Sequence, residues 1–193
     1  MAERENPIHA RSKRLITDAL FDLMKTEPYD HITVREISEK AGLTRQTFYH
    51  NFTSKDEVIA YRTDKLFDGF IEFIAGRQIT DVGSILRFYF SYWQENVEMY
   101  QCLLKNNLTH ILLRKYPEYF RKVNFLRIDS SELEPVQIEY IYSYMTGAVI
   151  NVLSTWIATG REDSPRELAD IVLDIMHGKY FYDVVPLQNP EEK

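Results

Sequence analysis

The chain has 193 residues, 45% of them hydrophobic and 27% charged, with a single cysteine. That suffices for one large soluble domain, or for a small one fused to a larger one, and it excludes an intrachain disulfide and any multi-cysteine metal site. The net charge of −6 argues against strong non-specific nucleic-acid binding, yet residues 1–60 hold nine Lys/Arg against ten Asp/Glu, so Arg4, Arg11, Lys13, Arg14, Arg35, Arg45 and Lys55 can still gather on one face.

From the amino terminus, Met1 to Arg14 is polar and charged and lacks the apolar stretch of a secretory leader, so a reducing cytoplasm is the expected compartment. Leu15, Ile16, Ala19, Leu20, Leu23 and Met24 recur at helical spacing and predict an amphipathic helix over about Ala10 to Lys25, ended near Pro28. Thr33 and Glu36 form a capping box that opens a second helix with Val34, Ile37 and Ala41 inward. Gly42 stops it by taking a left-handed conformation, Leu43 plugs the core, and Thr44 caps a third helix. On that helix Phe48 faces inward while Gln46, Tyr49 and His50 point away, flanked by Arg45 and Thr47. Two short helices joined by a tight turn, the second presenting hydrogen-bonding side chains, are the build of a DNA-reading helix-turn-helix.

Ser54 and Glu57 predict a second capping box and a long fourth helix to about Ala75, with Ile59, Leu66, Phe70 and Phe73 on one stripe. Gln78–Gly83 reads as a loop. Ile85, Phe88, Tyr89, Tyr92 and Trp93 mark a fifth helix, Tyr100 to Leu104 a sixth, and Ile111 to about Phe120 a seventh; 124–134 reads as a loop. The eighth helix runs from about Pro135 to Thr159, apolar at Ile141, Met145, Ala148, Val149, Val152 and Trp156, and ends at Gly160. Ser164, Pro165 and Glu167 start a ninth, with Leu168, Ile171, Val172 and Ile175 inward. Within the eighth, Tyr140 to Ala158 is 19 residues without a charge, about a bilayer's span, but Ser143, Thr146, Asn151, Ser154 and Thr155 interrupt it, so a buried soluble helix is expected, with no membrane partner. No strand pattern and no repeat is visible. The fold class is all-α, with a helix-turn-helix domain over 8–54 and a larger helical domain over 55–185.

This order of helices, with ITVREISEKAG, TFYHNF and SKDEV between Ile32 and Val58, resembles the TetR family of bacterial transcriptional regulators. Phe48-Tyr49, Phe52 and Lys55 sit at that family's spacing from Gly42. Farther on, Tyr140, Tyr144, Gly147, Trp156, Gly160 and Ser164 are loosely similar to TetR-type proteins of the dihydroxyacetone kinase operon activator kind. The resemblance implies a homodimer paired through the eighth and ninth helices, a double-stranded DNA operator, and a small-molecule effector cavity in the larger domain. The two reading helices must then reach successive major grooves, roughly 34–36 Å apart.

Within that frame, Thr33 and Arg35 at the start of the second helix are candidate phosphate contacts, beside their plainer roles as cap and surface charge. Arg45 and Gln46 are the candidates for base edges, since Arg suits guanine and Gln suits adenine. Thr44 caps beside them and Thr47 can meet a thymine methyl or a phosphate. The resemblance places Tyr49, His50 and Lys55 on the DNA backbone. Phe88, Tyr89, Tyr92, Trp93, Tyr140 and Tyr144 are candidates to line an effector pocket, although packing is the default for each. Cys102 and His110 lack a third orienting group, and His9, His31 and His177 fall in no metal-ligand spacing, so neither catalysis nor a cofactor is expected. The sequence therefore reads as a sequence-specific regulator, a repressor released by a small molecule. One rival is an activator or co-regulator working through protein contacts without an effector pocket. A second is an all-helical enzyme built on Cys102.

Overall fold

The computed structural model describes residues 7–77, 79, 81–123, 133–160 and 162–180. These form nine α-helices and no strand: α1 (Pro7–Met24), α2 (Val34–Ala41), α3 (Arg45–Asn51), α4 (Lys55–Ile74), α5 (Val82–Glu95), α6 (Val97–Lys105), α7 (Thr109–Val123), α8 (Pro135–Ala158) and α9 (Pro165–Met176). One 3-10 turn, Tyr29–His31, lies between α1 and α2. Most of the loop expected over 124–134, the tail of the carboxy-terminal domain beyond 180, and Arg4 lie outside the described residues. No described helix is long and apolar enough to cross a membrane.

Helix ends follow local chemistry. The hydroxyl of Thr33 accepts from the amide of Glu36, whose carboxylate accepts from the amide of Thr33 in return. Those contacts hold the Glu36 carboxyl below its usual range, through the Thr33 hydroxyl first and its amide second. Gly42 closes α2 at φ 66°, and Leu43 N–H donates to the Ser38 carbonyl at 2.9 Å, the left-handed stop that favours glycine. Ser54 caps α4, but Glu57 turns its carboxylate to the amide and hydroxyl of Thr53 instead of Ser54, so the box expected there is displaced by one residue. Helix α5 starts a turn earlier than the sequence suggests, because Asp81 accepts from the amide of Ser84 at 2.7 Å and caps it.

Helices α1, α2 and α3 pack on one another around Ile16, Leu20, Ile37 and Phe48, each fully buried. Helix α4 leaves this head, packs on α1, and then continues against α5 and α7. Helix α9 lies along α5, and α8 packs on α6 and α7. Tyr29 ties the head to the rest: its amide donates to Asn106 Oδ1 at the end of α6, at 2.9 Å, and its hydroxyl donates to Asp56 at the start of α4.

The centre of the larger domain is aromatic. Tyr89 and Tyr116 exchange a hydroxyl hydrogen bond of 3.0 Å, Phe70 meets Tyr89 edge-on, and Trp93 meets Tyr100 edge-on at 5.0 Å. Such pairs add about 0.5–1.5 kcal/mol each beyond area burial. Burial pushes the Tyr100 phenol up to about 12, and it pushes those of Tyr89 and Tyr116 well up from the ordinary tyrosine range. Ile171, expected inward on α9, is instead exposed, while Leu168 and Val172 are buried.

Candidate nucleic-acid interface

The reading helix α3 is seven residues long and held from behind. Phe48 is fully buried and Phe52 nearly so; Phe52 then packs edge-on against Tyr61 of α4 at 5.5 Å. At its front end the Thr44 hydroxyl accepts from the amide of Thr47 at 3.1 Å and pairs with the Thr47 hydroxyl at 2.9 Å. Such a cap contributes about 1 kcal/mol. Thr44 and Thr47 are therefore partly occupied in shaping the helix.

Arg45, Gln46, Tyr49 and His50 are all exposed on the outer side of α3. No hydrogen bond or ion pair to a described residue holds Arg45 or Gln46, so both can be spent on a partner. Tyr49 rests edge-on against Phe48 with half its surface in solvent, and the His50 ring lies 4.9 Å from that of His9 on α1. Arg35 extends from α2 at the same end of the head. Its Nε donates to Glu39 at 2.7 Å, leaving the terminal guanidinium nitrogens outward, at 75% exposure of the side chain.

Lys55, expected on the DNA backbone, also makes contacts within the protein. Its ammonium donates to the carbonyls of Tyr29 at 2.8 Å and Ile32 at 2.6 Å, and sits 4.4 Å from the centre of the Tyr29 ring. Two of its three donors are thus committed within the protein, and the residue works as a clamp between the 3-10 turn and α4.

The family model of the bacterial tetR regulatory proteins matches residues 16–61, and that of a transcriptional regulator C-terminal region matches residues 81–178, just over half of the chain. The chain belongs to the TetR family of transcriptional regulators. TetR-family regulators bind DNA operators and act as dimers. This TetR protein is 25% identical over 153 residues, 77% of its length and 81% of the other's, to the HTH-type dhaKLM operon transcriptional activator DhaS of Lactococcus lactis subsp. lactis. Among solved structures, Lin0861 from Listeria innocua matches with a TM-score of 0.76 at 12% identity, over 93% of this chain and 96% of that one. A TetR transcriptional regulator from Streptococcus agalactiae matches with a TM-score of 0.62 at 20% identity, over 86% and 94%. At these identities the two structures speak to the fold.

The six aromatic candidates for an effector pocket are not brought together. Tyr89, Tyr92 and Trp93 are buried in the centre with Phe70 and Tyr116, Phe88 is partly buried beside Phe73, and Tyr140 and Tyr144 stand 66% and 60% exposed on α8. The space left among the buried ones is about 10 Å³, room for about one water and no effector. The reason is size. Interlocked rings from α4, α5 and α7 fill the volume that a cavity needs. Cys102 is half-buried and burial pushes its thiol up, away from the reactive thiolate.

Proposed function

We propose that this TetR protein binds a pseudo-palindromic operator as a homodimer and represses by occupying it, with residues 8–54 reading DNA and 55–185 pairing the subunits. The observation that carries this is the outer side of α3, where Arg45 and Gln46 stand exposed and uncommitted on a helix pinned by Phe48. Arg45 and Gln46 read bases; Thr33, Arg35, Thr44, Thr47, Tyr49 and His50 fix register on the backbone. Lys55, anchored by the Tyr29 and Ile32 carbonyls, keeps one donor for a phosphate. Val136, Tyr140 and Tyr144 form an exposed row four residues apart on α8, and Ile171 is exposed on α9. An apolar face of this kind fits burial against the same helices of a second copy. Occupancy of an operator is enough for repression, whereas activation needs a further surface for another protein. Among the described residues, the rings packed around Tyr89 and Tyr116 leave no room for an effector.

The test is selection of bound duplexes from a random pool, followed by a scan of single-base operator variants. Arg45→Ala and Gln46→Ala are each expected to lose about 1–3 kcal/mol, and only at particular positions. Uniform loss across all positions would remove those two residues from the base edges. Sedimentation of Tyr140→Glu/Tyr144→Glu is expected to show monomers, with operator affinity falling by roughly 100-fold through lost bivalency; a persistent dimer places the interface elsewhere.

A further inference from the structure

Helices α1 and α4 leave an open groove of about 580 Å³ between them, lined by Arg11, Arg14 and Asp18 of α1 and by Tyr61, Arg62 and Lys65 of α4. Four cations thus face one carboxylate in a chain that carries 29 Asp/Glu against 23 Lys/Arg. Arg11, Arg14 and Arg62 have no ion-pair partner among the described residues, and Lys65 reaches only Asp68, at 3.8 Å. Arg62 is half-buried and Tyr61 provides an aromatic floor with its ring 5.6 Å from the Lys65 ammonium. A cleft lined by one sign of charge concentrates counter-ions, and guanidinium forks bind phosphate and carboxylate in pairs of hydrogen bonds. The volume is that of a small-molecule site.

The groove runs beside the reading face, since His9, two residues before Arg11 on α1, has its ring 4.9 Å from that of His50. Its floor, Tyr61, packs on Phe52, which is buried behind α3. The two walls pack on each other and lead to different parts of the molecule: α1 also packs on α2 and α3, whereas α4 runs on to α5 and α7. We propose that the groove binds a small multivalent oxyanion, and that the anion, by bridging Arg11 and Arg14 to Arg62 and Lys65, fixes α1 against α4 and so sets the angle of the reading head. Anion binding stands on the groove alone; its effect on DNA rests on the operator reading above.

Calorimetry on the full chain separates the two. Inorganic pyrophosphate and citrate are titrated in turn against sodium chloride at matched ionic strength. One saturable site per chain is expected, weakened about tenfold or more in Arg14→Ala/Arg62→Ala, partly restored in Arg14→Lys/Arg62→Lys, and unchanged in Arg45→Ala. A preference between the two titrants tells a phosphate ligand from a carboxylate one. Anisotropy on the selected operator is then expected to change at least about threefold with pyrophosphate for the wild-type chain and not for the double alanine variant. No saturation beyond the chloride control, or equal binding by the double alanine variant, overturns the site. Displacement of pyrophosphate by operator DNA, with the double variant losing operator affinity in the absence of anion, overturns it in favour of a DNA track. Saturable binding with operator affinity unmoved overturns the control of the head. If no operator binds at all, the operator reading fails while the calorimetry still decides the site.

Discussion

The reading head and the larger domain both depend on aromatic residues, but to opposite ends. In the head, Phe48 and Phe52 are sunk behind a short helix so that the polar residues in front keep one orientation. In the larger domain Tyr89, Trp93, Tyr100 and Tyr116 close up the interior, whereas Tyr140 and Tyr144 of α8 stand in solvent. The head is thus a rigid support for an exposed chemical surface. The larger domain is a packed body with exposed tyrosines on α8.

The contrast can be broken most severely at the centre of the larger domain. Trp93→Ala is expected to lower unfolding stability by about 3–5 kcal/mol, because it opens a cavity in a region with none; urea denaturation reads this, and a loss below about 1 kcal/mol would show a loose interior. Next, Lys55→Ala leaves two carbonyls without their charged donor and is expected to cost about 1.5–3 kcal/mol, seen as a lower Tm together with an even loss of operator affinity over all sequences. Unchanged Tm with the same even loss would leave Lys55 acting on the DNA backbone alone. Arg45→Ala and Gln46→Ala sharpen the comparison from the other side, since both are expected to leave Tm within about 0.5 kcal/mol of equivalent stability while changing base preference. The smallest effect is on acidity. The capping contacts of Glu36 and Glu57 depress both carboxyls, so their contribution is complete above the ordinary glutamate range near 4.3 and disappears as pH falls through the lower folded values. Circular dichroism during acid titration is expected to show α2 and α4 fraying in that window, and Glu36→Gln to lose most of this pH dependence for α2.

The head was legible because its boundaries are written in adjacent residues. Thr33 with Glu36, Gly42, and Thr44 each act within four positions, and the structure places the ends of α2 and α3 where those residues require. What escaped is tertiary. Gly83 looks like loop, yet it lies in α5 where a Cβ would meet Leu173 of α9 at 3.2 Å; the glycine serves close helix packing. Lys55 looks like a surface charge because its carbonyl partners lie more than 20 residues earlier. Periodicity sends Ile171 inward, but it cannot tell a monomer core from a face left for another copy. The six aromatics share a residue type and nothing more, and only the packing separates filler from surface. Arg11 with Arg14, and Arg62 with Lys65, repeat a three-residue spacing on two helices. That was a readable signal, invisible until α1 and α4 are set side by side.

Tyr29 gives this molecule a mechanical property. Its amide is tethered to Asn106, its carbonyl to Lys55 and its hydroxyl to Asp56, so one residue is anchored to two helices at three points. The Asn106 contact therefore holds the turn, which leads into α2, against the carboxy-terminal end of α6. The short strap after α1 thus adds a polar tie between head and body beside the packing of α1 on α4 and α6.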